Sequence, residues 1–215
     1  MTPSASATET RVIVFARAPE AGMAKTRLIP ALGAHGAAAL HSLLIERALA
    51  TAISAAVGAV ELWCAPSAQH PLLAASARRH GIAAFTQCEG DLGARMQHAV
   101  TTTLAAVQRV IIIGTDCPVL TAEVLRAAAA ALDAKQDAVL TPAEDGGYVL
   151  LGLARCEARL FDDIEWGSDR VLALTRARLT ELRWRWHELP TLWDVDRPAD
   201  LARLHKTGLL PELPD

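Results

Sequence analysis

Short runs of β-branched and aliphatic residues alternate along the chain with long alanine-rich stretches whose apolar positions recur at helical spacing. Residues 12–16 form the first apolar run, and a polar loop over 17–30 follows it. Leu40, Leu44 and Ala48 then fall on one stripe, which predicts a helix over about 36–57. A second strand is expected at 60–65, then a short helix ending in Arg78, Arg79, His80 and Gly81, cations and a glycine suited to a helix C-terminus. A third strand is expected at 82–87. Leu92, Met96, Ala99, Thr103 and Val107 share one face of the helix after it.

Residues 110–113 are four consecutive β-branched residues, the pattern of a central strand buried on both faces. Thr121 stands where it would cap a helix running to Leu132, with Glu123 in the first turn. Strands at 138–141 and 148–153 flank Gly146-Gly147, a helix is predicted over about 169–182, and 184–189 alternates at period two. Pro198 opens the last helix. Strand–helix alternation of this kind predicts right-handed crossovers and a parallel sheet with helices on both faces. Ligands bind such sheets beyond the carboxyl ends of the strands. Each unusual polar segment of this chain falls at such an end.

Composition narrows the choice. The chain has 215 residues, 52% hydrophobic, 21% charged and 4% aromatic. That length is expected to form one domain over 11–205, with a polar tail at 1–10 and another at 206–215. No uninterrupted apolar run approaches the ~20 residues of a bilayer span, so no membrane span is expected. Twenty-one basic and 24 acidic residues give a formal charge of −3, which argues against a nucleic-acid binder, so any anionic ligand needs a local site. The cysteines at 64, 88, 117 and 156 form no C-x-x-C pair, and the N-terminal stretch lacks the pattern of a signal peptide. Free thiols then suit a reducing cytoplasm. No motif fixes an oligomeric state.

Six segments carry candidate chemistry. Arg17, Lys25 and Arg27, with Gly22, lie in the loop after the first strand, where a diphosphate needs backbone N–H groups and cations; a solvated charged loop explains them about equally well. Asp116 follows the most buried strand, and a carboxylate there is costly unless it binds a cation such as Mg²⁺ or Mn²⁺ or caps a turn. Cys117 beside it reads as a packing residue. Asp194 and Asp196 precede the last helix, one suited to its N–H groups and the other to a metal, while Asp200 compensates the helix dipole. In Glu144-Asp145-Gly146-Gly147-Tyr148 the glycines allow close approach of a substrate and Asp145 could serve as a base, or the segment is a plain turn. Gly90, Asp91, Gly93 and Arg95 form a strand-to-helix turn in which Asp91 either borders a ribose or caps the helix. Trp166 could stack on a sugar ring or pack in the core.

Taken in order, the segments 15–28, 87–96, 113–118, 145–153, 166–168 and 194–201 resemble a bacterial family of unknown function classed with GT-A-type glycosyltransferases, some members of which are described as arsenosugar-biosynthesis glycosyltransferases. The wider resemblance is to the nucleotide-diphospho-sugar transferase superfamily, which includes guanylyl- and cytidylyltransferases. It implies a three-layer α/β/α fold with a mostly parallel mixed sheet. It further implies that Arg17, Lys25 and Arg27 grip the nucleotide phosphates and that Asp116 and Asp196 hold Mg²⁺ or Mn²⁺; Gly90, Asp91 and Arg95 are then expected to bind the nucleotide on its base or ribose side. Two departures stand out. The D-x-D metal motif is reduced to Asp116-Cys117-Pro118, and Arg197 replaces a threonine in the late element.

The expected activity is therefore transfer of a sugar from a nucleotide-sugar to a small-molecule acceptor, assisted by a metal. Asp116, Asp145 and Lys25 are the catalytic candidates, and Gly146, Gly147, Tyr148 and Trp166 lie on the acceptor side. The alternatives are a nucleotidyltransferase that takes an NTP and releases pyrophosphate, and a nucleotide sensor without chemistry. The first loop lacks the early glycines common in nucleotidyltransferases of this fold, which favours glycosyl transfer.

Overall fold

The computed structural model describes residues 10–209. The expected tails at 1–10 and 206–215 fall, apart from Thr10 and 206–209, outside the described residues. One sheet contains β1 (Thr10–Arg17), β2 (Gly58–Ala65), β3 (Ala83–Thr86), β4 (Arg109–Ile113), β5 (Ala138–Pro142), β6 (Tyr148–Leu153) and β7 (Trp186–Glu188). Their spatial order is β3-β2-β1-β4-β6-β5-β7. The helices are α1 (Ile29–Ala55), α2 (Pro71–His80), α3 (Leu92–Leu104), α4 (Ala122–Asp133), α5 (Val171–Glu181) and α6 (Pro198–Thr207).

β1 pairs in parallel with β2 and β4, β2 with β3, and β5 with β7. β6 alone runs against its neighbours β4 and β5. The carboxyl ends of the other strands and the amino end of β6 therefore meet at one edge of the sheet. This is the nucleotide-diphospho-sugar transferase α/β fold, a mostly parallel mixed sheet with helices on both faces.

The period-two rule sorts the strand residues between two cores. Val12, Val14, Ile111 and Ile113 pack with Ile45, Leu49 and Leu125 from α1 and α4. Ile13, Val110 and Ile112 face the other way, onto Met96 and Val100 of α3 and Leu172 and Leu179 of α5. Burial of each large aliphatic side chain stabilises the fold by roughly 1.5–3 kcal/mol. β4 is buried along its whole length, as four β-branched residues in a row require.

α1 starts earlier than its pattern predicts, because Gly33 (φ 68°, ψ 168°) interrupts a helix that resumes beyond it. It is long and apolar enough, by length and composition, to cross a membrane, although no uninterrupted apolar run marks it in the sequence. Here Ala37, Leu40, Leu44, Leu49 and Ala52 of its inner face are buried in the protein's own core. α2 ends as predicted, with Gly81 left-handed and its N–H on the carbonyls of Ala77 and Arg78. Thr121 occupies the N-cap of α4, yet its hydroxyl makes no capping bond.

Candidate functional site

Past the end of β1 the chain turns sharply. The N–H groups of Met23 and Ala24 both donate to the Glu20 carbonyl, at 3.0 and 2.9 Å, and Gly22 supplies the positive φ of 83°. Lys25 is itself left-handed (φ 48°, ψ 44°), a conformation that costs a non-glycine residue about 1 kcal/mol or more and that surrounding contacts must hold. Those contacts are visible. Lys25 Nζ lies 2.8 Å from Asp116 Oδ1 and donates to the Val195 carbonyl at 2.5 Å, with its side chain only 4% exposed. Lys25 thus does not face the cleft as a free phosphate-gripping cation. Arg27 is also engaged, by Asp196, in an ion pair at the surface.

Two cations of the neighbouring cavity, Arg17 and Arg95, differ from these. No ion pair or side-chain hydrogen bond holds either guanidinium among the described residues, and the buried Arg95 Nε has no partner. Both border a cavity of about 520 Å³ that also contacts Gln87, Gly90, Asp91 and Asp116. Gln87 donates its amide to the Trp63 carbonyl at 2.9 Å, which directs its oxygen acceptor elsewhere. Asp91 Oδ1 accepts the Ala94 N–H at 2.8 Å, so it caps α3 while lining the cavity. Gly90, at φ 112°, makes that turn possible.

His41 joins this group, although no motif of the sequence singles it out. Its Nε2 lies 3.1 Å from the Arg17 carbonyl and its Nδ1 3.8 Å from Asp116 Oδ1. Burial lowers its pKa, with Asp116 partly opposing. The ring is therefore neutral, Nε2–H donates to the carbonyl, and Nδ1 is a buried acceptor with no hydrogen-bond partner. The one available signal was a polar residue inside the buried stripe Ala37–Leu40–Leu44.

Asp116 opens a second cavity, of about 390 Å³, shared with Asp145, Asp194, Asp196, Tyr148 and Trp166. Burial, followed by the neighbouring Asp145 and Asp116 carboxylates, pushes the Asp194 carboxyl up to about 6. Asp145 Oδ1 accepts the Gly147 N–H at 2.9 Å, which commits one oxygen to the turn. Gly146 serves chain packing: a Cβ there would sit 2.1 Å from the Asp169 carbonyl oxygen, and its own carbonyl accepts from Leu172 N–H at 2.8 Å. Gly93 plays the same part for Trp166, since a Cβ would lie 2.5 Å from the indole Nε1. Cys117 is a packing residue whose thiol burial pushes up to about 12. Asp200 accepts the N–H groups of Asp196 and Arg197, at 3.0 and 2.7 Å, the helix-start role its spacing indicates.

The carboxylates offer a divalent ion a partial shell. Among the described residues no group of three or more His, Cys, Asp or Glu converges on one point. Asp116, half exposed at the junction of the two cavities, is the carboxylate best placed to hold such an ion; Asp194 is crowded by Asp145 first and Asp116 second, and Asp196 is tied to Arg27. Mg²⁺ is commonly held by one or two carboxylates together with substrate phosphates, and this donor set fits that mode.

A family model described as "Uncharacterized protein conserved in bacteria (DUF2064)" matches residues 48–168. The chain belongs to the DUF2064 family. Among solved structures, this DUF2064 chain is similar to a protein from Desulfovibrio desulfuricans G20 provisionally described as a nucleotide-diphospho-sugar transferase, at 29% identity and a TM-score of 0.84, over 94% of this chain and 88% of that one. A nucleotidyl transferase from Methanothermobacter shares the fold at 15% identity and a TM-score of 0.65, covering 94% and 98% of the two chains. Glucosyl-3-phosphoglycerate synthase from Mycobacterium tuberculosis, in complex with Mn²⁺, UDP and its product, shares it at 10% identity and a TM-score of 0.57, over 96% and 82%. No curated protein matches the DUF2064 chain.

Proposed function

We propose that this protein is a transferase that moves a sugar from a nucleotide-sugar to a small acceptor. The observation that carries the reading is the charge order along the cleft. The unpaired Arg17 and Arg95 stand at one end, Asp116 borders both cavities, and Asp145 and Asp194 stand at the other end. The cationic end suits a nucleoside diphosphate. The acidic end suits an acceptor hydroxyl that must lose a proton.

In this reading the acceptor oxygen attacks the anomeric carbon as the bond from that carbon to the diphosphate oxygen breaks. The proton passes to Asp194, whose raised proton affinity suits a general base, while one Asp145 oxygen is committed to the Gly147 N–H. Arg17 and Arg95 stabilise the departing diphosphate electrostatically, which is where most of the rate enhancement of such a step arises. Lys25 acts from behind, by fixing Asp116. A divalent ion held by Asp116 and the diphosphate itself would supply further charge neutralisation there. Free thiols at all four cysteines suit a cytoplasmic setting.

Nucleotidyl transfer is the second reading. A nucleotidyl transfer enzyme shares the fold over almost the whole of both chains. Incubation with UDP- or GDP-sugars and Mn²⁺, followed for release of the nucleoside diphosphate, tests the first reading. Incubation with GTP or CTP, followed for pyrophosphate, tests the second. Turnover in neither, with nucleotides still raising the melting temperature, would identify a sensor. No thermal shift with any nucleotide would overturn the nucleotide pocket itself.

A further inference from the structure

The acceptor end of the cleft has two walls of opposite character. One is apolar: Phe15, Met96, Tyr148 and Trp166 border the 390 Å³ cavity. Phe15 is stacked on Trp63 at 6.5 Å between ring centroids, and Met96 is 4% exposed, so this wall is anchored in the core. Trp166 is seated on Gly93, a position only a glycine can yield to it.

The facing wall is acidic. Asp116, Asp145, Asp194 and Asp196 line it, and Arg27, already paired with Asp196, is the cation among its lining residues. The adjoining cavity of about 560 Å³ adds Asp169 to these carboxylates, together with Glu144, which Arg203 pairs, and one further cation, Arg197. Lys25 lies behind Asp116 and is spent on it. A divalent ion would not reverse this balance, because it arrives with the anionic diphosphate it neutralises.

We propose that the acceptor is a small molecule with an apolar, ring-sized body and a hydroxyl or amine, bearing no anionic group. The body would lie on the Phe15–Met96–Trp166 wall and the polar group would meet Asp145 and Asp194. A cavity of this volume holds a ligand of roughly drug-fragment size. A phosphorylated or carboxylated acceptor would have to bring its charge against unneutralised carboxylates in a partly desolvated space, where like charges repel most strongly. The inference rests on the transfer reading for the word acceptor, and on the cavity alone for the chemistry.

Three probes of nearly the same shape isolate the charge: benzylamine, benzyl alcohol and benzoate. Binding to the full chain is measured by ligand-observed NMR titration at pH 7.5. Benzylamine should bind at least about tenfold more tightly than benzoate, with benzyl alcohol between them. Asp194→Asn, which keeps the side-chain shape, should narrow that ratio severalfold, and Asp145→Asn at an exposed position should do the same without threatening the fold. Equal binding of benzoate and benzylamine would overturn the proposal. So would no detectable binding of any probe at 10 mM, or a ratio that neither substitution changes. A thermal-shift titration with UDP and GDP in the same samples separates this outcome from failure of the nucleotide pocket, which lies on the Arg17–Arg95 side.

Discussion

Lys25 Nζ stands 2.8 Å from Asp116 Oδ1 and also donates to the Val195 carbonyl, so one buried ammonium joins the first loop, the end of β4 and the segment before α6. Its partner carboxylate is 48% exposed and stays hydrated. Asp116→Asn still offers the ammonium an acceptor oxygen, whereas loss of the ammonium leaves the Val195 carbonyl without its donor and unties both segments. Lys25→Met should therefore destabilise the fold by about 1–3 kcal/mol, more than Asp116→Asn does. For a chain of this size each kcal/mol lowers Tm by about 2–4 °C, which calorimetry resolves. A larger loss for Asp116→Asn would reverse this assignment of roles.

Among the described residues the Arg17 and Arg95 guanidiniums make no ion pair or side-chain hydrogen bond, so their substitution should leave stability almost untouched. Arg17→Gln and Arg95→Gln should each shift the folding free energy by no more than about 0.5 kcal/mol. Each should weaken binding of a nucleoside diphosphate by about tenfold, the worth of a charge-assisted hydrogen bond. Calorimetric titration with UDP or GDP, beside a melting curve, reads both quantities.

The Asp194 carboxyl titrates near 6 in the folded protein, above its ordinary 3.8. The folded state binds this proton more tightly than the unfolded chain does. Its contribution to stability is complete below about pH 4 and is lost as pH rises through about 6. In protein treated with EDTA, wild type should lose stability relative to Asp194→Asn across that window. Parallel melting curves from pH 4 to 7 for the two proteins would refute the shift.

Gly93 touches Trp166 so closely that even a methyl group displaces the indole. Gly93→Ala should cost about 1–3 kcal/mol through overpacking. Trp166→Leu in the same chain should recover part of that cost, since the clash needs both side chains. A double-mutant cycle in urea measures the coupling, and strict additivity would show that the two side chains do not meet.

The fold was legible because its signals are local. Four β-branched residues announce β4, Gly81 ends α2, Asp91 starts α3 and Asp200 starts α6, each through contacts with near neighbours in sequence. The order of the segments carried the rest through resemblance. The site was legible in membership and less so in roles. The sequence marked Arg17, Arg95, Asp116, Asp145 and Trp166 as residues of one cleft, and they line its adjoining cavities. It did not show that Lys25 turns inward, that Arg27 is neutralised by Asp196, or that Asp194 is the carboxyl crowded by its neighbours. Those facts depend on partners about 50 to 170 residues away, and no periodicity encodes them. His41 was hidden for a related reason, since its place in the site depends on a carbonyl at the end of β1 and a carboxylate just past β4.

The bond from Lys25 to Val195 spans 170 positions of sequence. During synthesis, β1 and its loop leave the ribosome long before the segment that receives this ammonium. Until that segment emerges, Lys25 lacks one of the two contacts that hold its left-handed turn. The cleft is therefore among the last parts of the molecule to be finished, and a nascent chain that stalls before residue 195 would carry most of the sheet and no working centre.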